Sequence, residues 1–85
     1  MKLRLDSGEV GEAKSFDGGI LTLLSPRAFA PGSPIRFTVV EDEVERTLEG
    51  RTLGSKRVED QRFEVKMRFV NLRRADRGLL LRELA

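Results

Sequence analysis

Ser15, Gly18 and Gly19 stand within a few residues of one another, with Lys14 beside them and Arg4 upstream. A hydroxyl, two glycine amides and two cations are the groups that hold a phosphate. Consecutive backbone N–H groups in a turn form an anion-binding concavity, and arginine offers a fork that matches phosphate oxygens. The same residues have plainer uses. Gly18-Gly19 suits a tight turn that needs positive φ, and the Ser15 hydroxyl can bond the backbone of its own turn.

A second set of candidates is a basic patch. Arg62 and Arg68 fall on one face of a strand-like segment, and Arg73, Arg74 and Arg77 follow it, with Arg82 further on. Such a patch can meet a phosphate or an acidic protein partner. Interleaved with Glu64, Asp76 and Glu83, it can equally be a solvated face. Glu41, Asp42, Glu43 and Glu45 can hold only an oxygen-ligand ion such as calcium or magnesium. They lack the spacing of a calcium loop and read as a charged hairpin tip.

Composition narrows the chemistry. The chain has 85 residues with no cysteine and no histidine, so disulfides, cysteine-zinc sites and the commonest general base are all missing. No serine sits in a nucleophile-elbow context. The expectation is a binding module rather than an enzyme, with no cofactor and no metal. Sixteen Lys and Arg against fourteen Asp and Glu give a net charge of +2. That excess is too small for a dedicated nucleic-acid binder. Trp and Tyr are absent, which leaves only Phe and Arg planes for stacking on bases. No run approaches the ~20 apolar residues of a membrane span, and the amino terminus lacks an apolar run of signal-peptide length. A cytoplasmic location is expected.

The elements that must position these groups read as strands. Leu3 and Leu5 alternate with polar residues over Lys2 to Asp6, and Ser7-Gly8 turns the chain. Glu9 to Phe16 is a weaker strand. Ile20 to Leu24 is apolar on both faces and suits a strand covered on one side by the interior and on the other by a helix. Arg27 to Pro34 is a loop whose Phe29 plugs one end of the core. Ile35 to Val40 alternates, and Val44 to Arg57 is a long strand or bent pair with Gly50 and Gly54 at bulges or a barrel corner. Phe63, Val65, Met67 and Phe69 alternate with charged residues in the cleanest strand of all. Asn71 is placed to cap a helix from about Arg73 to Leu84. Ala75, Leu79, Leu80 and Leu84 form its apolar face, and Gly78 allows close approach to the sheet. The fold class expected is all-β: a small antiparallel six-stranded barrel with one C-terminal α-helix, as a single domain over residues 1–85.

This pattern resembles the PilZ domain family along nearly its whole length. The family's motif Asp/Asn-x-Ser-x-x-Gly aligns with Ala13-Lys14-Ser15-Phe16-Asp17-Gly18, followed by Gly19. Ser15 and Gly18 match, and Ala13 replaces the acid or amide. Pro31-Gly32-Ser33-Pro34-Ile35 is similar to the family's Pro-Gly-Thr segment, and Arg62 to Val70 is similar to its last strand. The resemblance implies a bacterial signalling module that binds cyclic di-GMP or works in motility control. The family also places an arginine pair on an arm ahead of the turn, and here Arg4 is the only arginine upstream. The implied function is a regulatory or adaptor module acting by protein contact, with weak or no cyclic di-GMP binding. The alternative is a genuine receptor that uses Ser15, Gly18 and Gly19 with arginines from a partner subunit or a preceding arm. A homo-oligomer is compatible with either reading.

Overall fold

The computed structural model describes residues 1–41 and 43–84. Asp42, one of the acidic-tip candidates, lies outside them. Six strands run in the order β1 (Lys2–Leu5), β2 (Val10–Asp17), β3 (Ile20–Ser25), β4 (Pro34–Glu41), β5 (Val44–Glu59) and β6 (Arg62–Phe69). One helix follows, α1 (Arg74–Leu84). The strands close into an antiparallel barrel with neighbours in the order β1-β2-β3-β6-β5-β4. β1 seals it by pairing Leu3 with Val39 and Leu5 with Phe37.

Alternation decides which residues turn inward. Leu3, Leu5, Leu21, Leu23, Phe37, Val39, Val65 and Met67 are each at most 3% exposed and fill the barrel. Phe69 packs edge-on against both Phe16 and Phe37, with ring centroids 5.9 and 6.2 Å away. Phe29 packs half-buried against the same core, as a plug should. Its loop is tied to β5 by Ser55, whose Oγ accepts from the Phe29 N–H at 3.0 Å and donates to its carbonyl at 2.9 Å. Buried Thr52 holds the same loop by donating to the Ala30 carbonyl at 2.6 Å.

β5 is one continuous strand, not a bent pair. Gly50 lies opposite Ile35 of β4 and also opposite Phe69 of β6. A side chain has no room there: the Arg68 carbonyl, the Met67 methyl and the Phe69 Cα all lie within 3.0 Å of where Cβ would stand. The register slips instead between Thr52 and Gly54, so Gly54 marks the bulge and Gly50 the corner.

The helix seats over the barrel end that carries the β2–β3 and β4–β5 turns. Leu79 and Leu80 enter the core at 2% and 0% exposure. Three helix expectations need correction. Ala75 is exposed and Asp76 is buried in its place, because Asp76 reaches Arg46 of β5 at 3.0 Å. Asn71 does not cap the helix. It turns the chain at φ 55°, and Arg73 takes the cap position, its carbonyl accepting from the Arg77 N–H at 2.9 Å. Gly78 makes no close approach, since it is exposed and a Cβ there would meet nothing within 4 Å. The helix also packs against β2. Among the described residues no helix is long and apolar enough to cross a membrane.

Two substitutions should move stability in opposite directions. Gly50→Ala should lower unfolding free energy by about 2–3 kcal/mol or more, because backbone atoms must shift. Gly78→Ala should raise it by up to about 1 kcal/mol through helix propensity alone. Urea denaturation with a shared m-value measures both.

Candidate functional site

The β2–β3 hairpin positions the serine-glycine group. Gly18 and Gly19 have φ of 60° and 80°, which is the geometry of a two-residue turn that follows the sheet twist. Nothing lies within 4 Å of a Cβ at either one, so the turn is open to solvent. Upstream, the β2–β3 register slips between Ala13 and Ser15. Ala13 and Phe16 are both buried, while Lys14 and Ser15 between them are both exposed. Strict alternation would have sent Ser15 inward with Ala13. The bulge turns its hydroxyl out onto the sheet surface, where it has no hydrogen-bond partner among the described residues.

The structure does not gather the other ligand candidates around this hairpin. Arg4 stands opposite Val10, near the far end of β2 and about 15 Å from Ser15 at the strand rise. It pairs with Glu45 at 3.6 Å. Lys14 is next to Ser15 but leans toward Glu12 at 3.7 Å. Both pairs are exposed, and such pairs contribute about 0–1 kcal/mol.

Different cations lie across the sheet from Ser15. Ser15 is paired with Thr22, and Thr22 with Lys66. In the next row Asp17, Ile20, Arg68 and Arg51 follow one another across β2, β3, β6 and β5. Lys66 thus projects from the same outer face as Ser15, about 10 Å away at the spacing of strands. Arg51 donates to the Gly32 carbonyl at 3.1 Å. Sequence reading picked out Arg68 but missed Lys66 and Arg51, because only lateral strand order brings them beside the hairpin.

The basic patch divides. Arg62 and Arg68 occupy opposite ends of β6, about 20 Å apart, and Arg62 borders Lys2 and Val10 instead. Arg73, Arg74 and Arg77 cluster at the helix start. Arg77 lies over the Phe16 ring, 5.9 Å from its centroid. Of the acidic tip, Glu41 accepts from Arg82 at 2.7 Å. Among the described residues no group of three or more acids could hold a metal ion.

The larger concavities lie elsewhere. A groove of about 530 Å³ runs between the first half of β5 and the segment joining β6 to α1, with Arg46, Leu48, Leu72, Arg73 and Asp76 in its walls. A second, of about 470 Å³, opens beside Phe29, Ile35 and Arg51. The Arg46–Asp76 pair forms a wall of the first and also ties the helix down. Asp76 has a side-chain exposure of 10% and Arg46 of 37%, so removing the carboxylate strands a partly buried guanidinium. Asp76 is also in the first helical turn, where a negative charge is favoured.

Asp76→Ala should therefore cost about 1–3 kcal/mol and speed amide exchange across α1. Arg4→Ala, which breaks an exposed pair, should cost less than about 1 kcal/mol and leave the helix unchanged. Comparison of the chain with protein-family models, with curated proteins and with solved structures found no match.

Proposed function

We propose that the chain is a PilZ-like regulatory or adaptor module that acts by protein contact in the bacterial cytoplasm, with weak or no affinity for cyclic di-GMP. The observation that carries this reading is the separation of Arg4 from Ser15. The one upstream arginine is a strand's length from the serine-glycine turn and already faces Glu45. Cyclic di-GMP has two phosphates and two planar bases, and its capture calls for bidentate cations beside the turn. A charge-assisted hydrogen bond supplies about 1.5–3 kcal/mol, so a site without two of them binds weaker by orders of magnitude. The absence of histidine and cysteine from the sequence supports a binding role over a catalytic one.

One observation favours the receptor reading. Ser15 is turned outward and free, the Gly18-Gly19 turn is open, and Lys66 and Arg68 share the outer face. In that reading these two cations replace part of the missing clamp, and a partner subunit or preceding arm supplies the rest.

Calorimetric titration with cyclic di-GMP separates the two. The adaptor reading expects no micromolar binding. A micromolar signal that Ser15→Ala abolishes, and that Lys66→Ala or Arg68→Ala weakens, would overturn it in favour of the receptor.

A further inference from the structure

β5 changes neighbours part-way along its length. Val44 to Arg51 pair with β4, and Gly50 to Glu59 pair with β6. On the side away from β4, the last rung is the bond from the Val70 N–H to the Glu49 carbonyl, at 3.1 Å. Beyond it, toward Val44, no described strand lies beside β5.

The direction of the backbone groups there follows from the ladder. Antiparallel residues alternate between exchanging bonds with the partner and pointing away from it. Glu49 directs its carbonyl away from β4, so Thr47 and Glu45 direct their N–H and C=O groups the same way. The close Oγ1···Oγ1 approach of Thr38 and Thr47, 3.4 Å, agrees, since side chains stand nearest in the pairs that exchange no bonds. These groups face the groove of about 530 Å³.

We infer that this edge accepts an extended segment of another protein, added as a strand beside β5. The inference rests on the protein-contact reading above and names its surface. A free strand edge offers alternating donors and acceptors that another strand matches. The side chains specify what the strand carries. Glu45, Thr47 and Glu49 are exposed on the outer face, whereas Arg46 and Leu48 turn toward the interior and line the groove with Leu72. The fitting partner has Lys or Arg opposite Glu45 and opposite Thr47, the second of these diagonal to Glu49, whose own edge Val70 occupies, and it has apolar residues on the other face. A second copy of this chain fits poorly. Pairing on Glu45 sets that carboxylate against itself, pairing on Arg46 sets that guanidinium against its mate, and pairing on Thr47 runs into Val70 beside Glu49. Like charges directly opposite are destabilising.

The test uses the full chain, isotope-labelled, and a capped synthetic peptide with the core Lys-Val-Lys-Val-Thr, its first Lys opposite Thr47 and its second opposite Glu45. Nuclear magnetic resonance should show shifts confined to residues 44–49 and 70–73. Exchange of the Glu45 and Thr47 amides should slow by about tenfold or more at saturation. The same peptide N-methylated on alternate residues, in the frame that removes its protein-facing donors, should bind about tenfold more weakly. The double variant Glu45→Lys/Glu49→Lys should lose a similar factor while keeping its spectrum folded. Three results overturn the proposal: no shifts at millimolar peptide, undiminished binding of the methylated peptide, or protection of these amides by the protein alone as its concentration rises. The first, with no cyclic di-GMP binding, removes the edge and leaves protein contact through another surface standing.

Discussion

A single strand holding two neighbours is the constraint on which this barrel depends. β5 pairs with β4 through its first half and with β6 through its second, and Gly50 belongs to both ladders. The crossing is possible because the backbone of β6 comes to within a side chain's thickness of Gly50. With β1 bridging β2 and β4, closure removes most exposed edges from a chain of 85 residues. That matters in a domain this small, where stability is a few kcal/mol and each exposed edge invites pairing with another chain. Closure by a shared strand leaves a remainder, however. Where β5 has parted from β6 and still runs beside β4, one of its sides has no partner. The groove and its unpaired backbone groups are therefore a geometric consequence of the same corner that closes the sheet.

The helix answers a different need. A barrel of short strands has an open end, and Leu79 and Leu80 fill it. Two leucines fix burial but not orientation. Orientation comes from Asp76, held to Arg46 at 3.0 Å, and from Arg82 on Glu41 at 2.7 Å. Both barrel partners flank the β4–β5 turn, so the helix and the free edge share one wall. A strand entering the groove, as proposed above, would touch the element that closes the core.

Much of the fold was legible because alternation is a local property. β6 reads off Phe63, Val65, Met67 and Phe69 with both ends placed, and β4 is within a residue at each end. The site was less legible because its geometry depends on departures from alternation and on lateral neighbours. The slip between Ala13 and Ser15 switches which parity faces out, and nothing in the local composition announces it. Lys66 and Arg51 come near the hairpin only through the order β2-β3-β6-β5, which no single strand encodes. Asp76 reads as a surface charge because helical periodicity ranks residues by hydropathy. A carboxylate with a half-buried arginine opposite it can take an inward position that alanine cedes.

The electrostatics of the two candidate surfaces differ in what they can contribute. Around Ser15 the available cations are exposed, and at physiological salt the Debye length is about 8 Å. Charges spread over roughly 10 Å of sheet then act almost independently. They lack the fixed bidentate geometry that makes phosphate capture strong. At the β5 edge the demand is lighter. Backbone hydrogen bonds in a ladder are directional and insensitive to salt, so affinity there rests on them. Glu45 and Glu49 have only to select register and sign. The exposed Arg4–Glu45 pair is no obstacle, because an incoming cation exchanges for Arg4 at a cost below about 1 kcal/mol. On the proposed reading, weak surface charge disfavours the dinucleotide and suffices for strand addition, and this asymmetry is the physical ground for proposing protein contact over nucleotide capture.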